Sequence, residues 1–171
     1  MKRLILSICF LSFLAVASWA QKFALVDMEY ILKNIPAYEM ANDQLNQLSQ
    51  KWQTEVENKQ TQASDAYQQY KSDYLFLSDE QKQQREAAIT EIEKQAAELR
   101  YKYFGPEGEL FQKRKSLIEP IQDQIYEAIK KLADEKGYQA IFDRATATEI
   151  IFASPRIDVS NDVLARLGYS R

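Results

Sequence analysis

Residues 37–104 read AYEMANDQLNQLSQKWQTEVENKQTQASDAYQQYKSDYLFLSDEQKQQREAAITEIEKQAAELRYKYF, a stretch with neither glycine nor proline. All four glycines and all four prolines of the chain lie elsewhere, Pro36 directly before the stretch and Gly105-Pro106 directly after it. Gln, Glu, Lys, Ala and Leu fill most of it, so propensity predicts long helix. One stop signal interrupts the run. After Tyr74-Leu75-Phe76-Leu77 come Ser78, Asp79, Glu80 and Gln81, an N-cap serine, two acids for a first turn and a capping-box glutamine. The pattern predicts two helices with a tip at residues 77–78, the second starting at Asp79.

The first helix carries Leu45, Leu48, Trp52, Val56, Lys59, Ala63, Tyr67, Tyr70 and Tyr74 at intervals of 3-4-4-3-4-4-3-4. That eleven-residue repeat predicts a nearly straight or slightly right-handed helix pair. The second helix carries Ala88, Ile92, Ala96, Leu99 and Tyr103. Folded about the tip, antiparallel partners have numbers summing to 155, which sets Trp52 against Tyr103, Val56 against Leu99, Lys59 against Ala96, Ala63 against Ile92 and Tyr67 against Ala88. Large faces small in most layers. A hairpin arm over residues 36–120 results, whose first helix alone spans roughly 63 Å at the α-helical rise. With a single seam, each helix leaves most of its circumference in water or facing a partner.

Ahead of the arm, Lys2-Arg3, an apolar run over residues 4–14 and Ser18-Trp19-Ala20 form a secretory signal pattern with cleavage after Ala20. The apolar run is short for a membrane span. Removing residues 1–20 takes away Cys9, the only cysteine, and with Lys2 and Arg3 gone leaves 20 basic against 25 acidic residues and no histidine. Such a chain has no His or Cys ligands for zinc, haem or copper, no thiol nucleophile and no Ser-His triad. Its acidic balance, without a basic cluster, points away from nucleic acid. Paired acids such as Asp79-Glu80 have a capping role and no enclosing pocket, so no enzyme, no cofactor and no small-molecule substrate is expected.

Lys22-Phe23-Ala24-Leu25-Val26-Asp27 reads as a strand buried on both faces, followed by a short helical turn with Met28, Ile31, Leu32 and Ile35 as its apolar side; Pro36 opens the arm. On the return, Gly105, Pro106 and Gly108 end one helix and restart it, or serve as a hinge. Helix resumes at Glu109 and is expected to kink or restart at Pro120, with Leu110, Leu117, Ile118, Ile121, Ile125, Ile129 and Leu132 on one face. Gly137 closes it. Residues 138–143 and 149–154 read as two strands of a hairpin joined by a polar loop over residues 144–148. Ser160 is expected to cap a last short helix with Val163, Leu164 and Leu167 on its apolar face. Residues 21–35 and 121–171 thus make a small β/α body. Its core is meagre, so it is expected to need copies of itself, with Phe23, Leu25, Val26, Ile141, Phe142, Ile150 and Phe152 in the oligomerisation surface.

The fold class is mainly α with a small β body, a long antiparallel helical hairpin projecting from a strand-built oligomerisation core. In this layout the chain resembles the Skp (OmpH-like) periplasmic chaperones, through KFALVDMEYIL near the mature start, the charged helical hairpin, KGYQAIFD before the closing strands and IDVSNDVLARLG near the end. The resemblance implies a homotrimer whose hairpins enclose a cavity in the periplasm, where unfolded outer-membrane β-barrel proteins are held without ATP. The chain departs from the well-studied, strongly basic members in being acidic, and no Arg/Lys cluster matches a lipopolysaccharide site.

A holding surface needs many weak apolar contacts on open, hydrated ground. Tyr74, Leu75, Phe76 and Leu77 at the tip and Tyr67, Tyr70, Tyr101 and Phe104 along the arm are the expected client-binding residues. The bland alternative is that these rings only close the tip and stagger the seam. A rival function is a coiled-coil adaptor or spacer of the cell envelope with one defined partner. It calls for a third apolar stripe, whereas outer positions such as Gln47, Gln50, Lys51 and Glu57 are polar.

Overall fold

The computed structural model describes residues 22–147 and 149–169. The expected signal peptide, its cleavage point, Gln21 and Thr148 of the expected loop lie outside the described residues. In order, the elements are β1 (Lys22–Val26), α1 (Met28–Lys33), α2 (Pro36–Asp73), a 3₁₀ turn (Tyr74–Phe76), α3 (Asp79–Phe104), α4 (Glu109–Lys136), β2 (Tyr138–Asp143), a second 3₁₀ turn (Pro155–Ile157) and α5 (Ser160–Arg166). Contacts group them into two compact units: Leu32–Ile125, and the residues up to Ile31 together with those from Tyr126 onward.

The first unit is built on the helical hairpin. Pro36 stands in the first turn of α2, where its missing N–H costs nothing, and α2 runs unbroken for 38 residues, about 57 Å. At the tip, Ser78 caps α3. Its side chain accepts the Gln81 N–H while the Gln81 side chain accepts the Ser78 N–H, so both halves of the capping box form. At the far end of α3, Gly105 closes the helix by donating its N–H to the Tyr101 carbonyl at 2.8 Å. Backbone dihedrals there suit any residue, but a Cβ on Gly105 would stand 2.4 Å from that same carbonyl oxygen. Close approach, and not conformational freedom, demands glycine at this turn.

Helix α4 runs through Pro120 without a restart, so of the two expected alternatives the restart does not occur. Pro120 and Ser116, whose carbonyl loses its i+4 donor, both lie on the exposed face, where water replaces the missing bond. The buried stripe of α4 is Ile121, Ile125, Ala128 and Leu132. Ile129 is half-buried, as are Leu110, Leu117 and Ile118.

In the second unit β1 and β2 pair in parallel, with Ala24 opposite Ile141 and Leu25 opposite Phe142. Leu25 also bridges Asp158 on β1's other edge, where the Val159 N–H donates to the Leu25 carbonyl. With both edges occupied, β1 is central and Ala24, Leu25 and Val26 are buried. The expected hairpin between residues 138–143 and 149–154 does not form, because residues 150–154 are not strand. The reason is local to Asp143. Its carboxylate accepts the N–H groups of Ala145 and Met28 and the Thr146 hydroxyl, and its carbonyl accepts the Ala147 N–H. The bonds to Ala145, Thr146 and Ala147 wind residues 143–147 into a turn, and the bond to Met28 ties that turn to the start of α1. Gly137, in the left-handed region at φ 72°, supplies the turn from α4 into β2.

Ser160 does not cap α5 as expected; Val159 holds that position. Ser160 is buried, and its Oγ accepts the Asp27 N–H at 2.8 Å while donating to Asp158 Oδ1 at 2.6 Å. Burial pushes the Asp158 carboxyl up, but the Ser160 hydrogen bonds and the Arg144 guanidinium outweigh it and hold the group below the usual carboxylate range. Arg144 spans Asp27 at 3.5 Å and Asp158 at 2.9 Å.

Candidate functional site

The site is the outer half of the hairpin, and its shape follows from which side chains α2 and α3 turn toward each other. From Trp52 outward the inward positions of α2 are Trp52, Val56, Lys59, Ala63, Ala66, Tyr70 and Asp73, and those of α3 are Ile89, Ile92, Ala96, Leu99 and Tyr103. Both sets step by alternating threes and fours. This is a heptad, the period of a left-handed pair, and it corrects the eleven-residue reading. The 155 register still sets Trp52 against Tyr103, whose rings stack 4.9 Å apart and 6° from parallel. Farther out, Ala66 takes the place expected of Tyr67 and Ile89 that expected of Ala88. A small residue level with Ile89 lets the helices stay close, where a tyrosine ring would wedge them apart.

Two tyrosines stay in the seam and reach across it. The Tyr103 hydroxyl donates to Glu55 Oε2 at 2.6 Å and the Tyr70 hydroxyl donates to Glu86 Oε1. The hydrogen bond to Glu55, with burial, pushes the Tyr103 phenol up to about 12; that to Glu86, with burial, does the same for Tyr70. Lys59 adds a third tie, to Gln95 at 3.2 Å.

The expected client-binding residues divide accordingly. Tyr70 is 7 % exposed and belongs to the seam, making an edge-on contact with the Tyr74 ring at 5.6 Å. Tyr67, Tyr74, Tyr101 and Phe104 stand outside it, each more than a third exposed. Tyr74 is steadied by the Lys82 ammonium 4.7 Å above its ring. At the tip Leu75 is 88 % and Phe76 87 % exposed, with Leu77 half-buried beneath them. Tyr67, Tyr70, Tyr74 and Leu75 converge on one open cleft of about 590 Å³ with Ile89, Thr90, Lys71, Glu86 and Glu93 around it. Sequence reasoning missed the α3 side of this cleft. The interval of seven between Glu86 and Glu93 was the available signal. Met40 and Phe111, both exposed, also went unremarked.

The expected oligomerisation residues also divide. Leu25 and Val26 are core, Ile141 and Ile150 half-buried, and Phe23 and Phe142 half-exposed with their rings 6.2 Å apart. Phe152 is exposed, and its neighbour Ile151 fully so. A cleft of about 670 Å³ lies between Leu25, Asp27 and Arg144 and the coil of residues 150–155. Its charges are already paired with one another, and it offers apolar ground in place of reactive groups. Among the described residues there is no cluster of three or more potential metal-ligating His, Cys, Asp or Glu, and no helix is long and apolar enough to cross a membrane.

Comparison with curated protein sequences gives no match. Among solved structures, the chain is similar to one from Caulobacter crescentus CB15 described as an outer membrane chaperone (OmpH-like). The two superpose with a TM-score of 0.69 over 88 % of this chain and 86 % of that one, at 10 % sequence identity, a likeness of fold. The model of the outer membrane protein (OmpH-like) family matches residues 22–167. With the match running from the first residue of β1 to just past α5, the chain belongs to the OmpH-like family.

Proposed function

We propose that this protein is a holding chaperone of the periplasm, exported by a signal peptide cleaved after Ala20, that binds unfolded outer-membrane β-barrel proteins without nucleotide and prevents their aggregation. The observation that carries this reading is the exposure of Leu75 and Phe76 at the hairpin tip, continuous with the cleft beside Tyr67 and Tyr74. Exposed apolar groups of this size on an otherwise charged hairpin are binding ground. Their polar surroundings, Lys71, Glu86 and Glu93, keep contacts weak and exchangeable. Gly105, Pro106 and Gly108 serve as the hinge at the root end of α3.

The same reading gives the protein several copies of itself, three by resemblance to the Skp-type members, with the client held between their hairpins. Ile151 and Phe152, exposed beside the β1 cleft, become the contact between copies.

The test dilutes a urea-unfolded outer-membrane β-barrel protein into buffer with and without the purified protein and follows light scattering. Suppression without nucleotide, lost when Leu75 and Phe76 are both changed to Ser, supports the role. Equal scattering with and without the protein overturns it. Solution mass at several concentrations reports the copies: a monomer throughout overturns the self-association, and a shift toward monomer in Phe152→Asp supports its place.

A further inference from the structure

The cleft at the hairpin tip is not alone on its face. Two more depressions follow it toward the root, of about 420 Å³ and 320 Å³. On α2 they are floored by Tyr70, Ala63 and Val56 in turn, seven residues apart. Their walls are shared: Tyr67 closes the first and opens the second, and Gln60 does the same for the second and third. On α3 Glu93 and Arg100 are the shared walls, again seven apart. Each helix therefore contributes residues at i, i+3, i+4 and i+7 to the first two depressions, as in the hole that receives one side chain of a packed helix; in the third, α2 does so and α3 supplies Arg100 and Phe104.

We propose that this face of the hairpin docks an amphipathic helix as the third strand of a coiled coil, one apolar side chain to each depression and a basic flank along α3. Taking this face as the binding face rests on the holding role above; the helical form of what binds does not. Spacing decides the form. Seven residues of helix advance about 10.5 Å, so the depressions match a helix with an apolar residue every seventh position. An extended strand places same-side residues about 6.7 Å apart; if it fills the two outer depressions, it puts nothing in the middle one. Charge decides the flank. Glu86 and Glu93 rim the α3 side seven residues apart, and Lys or Arg at the same interval on the occupant meets both. Arg100 and Lys71 mark the ends of that acidic stretch. The middle depression is floored by small side chains, Ala63, Ala96 and Ala97. No third stripe of apolar residues is needed, because the regular feature is a row of holes.

The experiment uses the full protein and two labelled 21-residue peptides of identical composition, Leu, Lys, Gln and Ala. One has six Leu at heptad a and d positions with Lys flanking, the other the same six Leu at alternate positions across its central eleven residues. Fluorescence anisotropy is expected to show the heptad peptide binding at least ten-fold tighter, with a gain of helical circular dichroism. Ala97→Arg, which fills the middle depression from an exposed position, is expected to weaken it at least ten-fold. Ser64→Arg does so from the α2 side, should Ala97→Arg disturb folding. Glu93→Lys is expected to weaken the Lys-flanked peptide and to strengthen a Glu-flanked one. Equal binding of the two peptides, or indifference to both arginine variants, overturns the inference. If client aggregation is still suppressed in that case, the holding role survives it; if the heptad peptide binds but no client is protected, the groove stands and the holding role falls.

Discussion

Trp52→Ala tests the register on which every other statement about the hairpin depends. Trp52 is half-buried and stacks on Tyr103 at 4.9 Å. Truncating a fully buried Trp costs about 3–5 kcal/mol, so a half-buried one should cost about 2 kcal/mol, with the ring stacking accounting for about 1 kcal/mol of that. With a urea slope of about 2 kcal/mol/M, the midpoint falls by about 1 M. Trp52→Leu, which keeps apolar bulk and loses the stack, falls by about half as much. The assay is urea unfolding followed by far-UV circular dichroism at one fixed protein concentration, since self-association would otherwise move the midpoint. A shift below about 0.25 M for Trp52→Ala, or equal shifts for the Ala and Leu variants, would refute the stacked layer and with it the 155 register.

The heptad makes a second pair of variants unequal: Ile89→Ala should destabilise by about 2–4 kcal/mol, whereas Ala88→Gln, on the exposed side, should stay within about 0.5 kcal/mol by the same denaturation. Tyr70 and Tyr103 have phenols raised to about 12, so their contribution to the hairpin is complete below pH 10 and lost as pH rises toward 12. In a spectrophotometric titration of tyrosinate absorbance, the Tyr70→Phe/Tyr103→Phe variant should lack the phase centred near pH 12. Asp158 titrates low in the folded chain, so its stabilisation is present above the ordinary value of 3.8 and fades as pH falls below it; acid unfolding of Asp158→Asn should show a shallower pH dependence there. Ser160→Ala leaves the half-buried Asp27 N–H without its acceptor and should cost about 1 kcal/mol by urea unfolding at neutral pH.

Much of the hairpin was legible before any coordinates because its signals are local. A helix start is written in four consecutive residues, Ser78 to Gln81, where the Ser78 and Gln81 side chains each reach the other's backbone. Pro36 and Gly105 act within one turn in the same way. Excluding helix breakers from residues 37–104 left the chain no alternative to two long rods, and folding them at the one stop signal fixed Trp52 opposite Tyr103. Beyond the tip, the exposed Leu75 and Phe76 of the candidate site were read from the same run of four apolar residues.

What the tertiary structure decided depends on who faces whom. Hydrophobicity ranks Tyr67 above Ala66 and Tyr74 above Asp73, so a reading of one helix at a time draws the seam through the tyrosines. Only the partner helix, with Ile89 at the facing level, makes the small residue the better fit and turns the tyrosines out onto the cleft. The strands show the same limit at longer range. Residues 149–154 have strand composition, but β2 found its partner in β1, on the far side of the whole hairpin in sequence, and Asp143 spent its hydrogen bonds on a turn. Pairing across so many residues leaves no mark on either segment alone. Local capping and the absence of breakers are properties of a sequence; the choice among competing partners belongs to the packed chain.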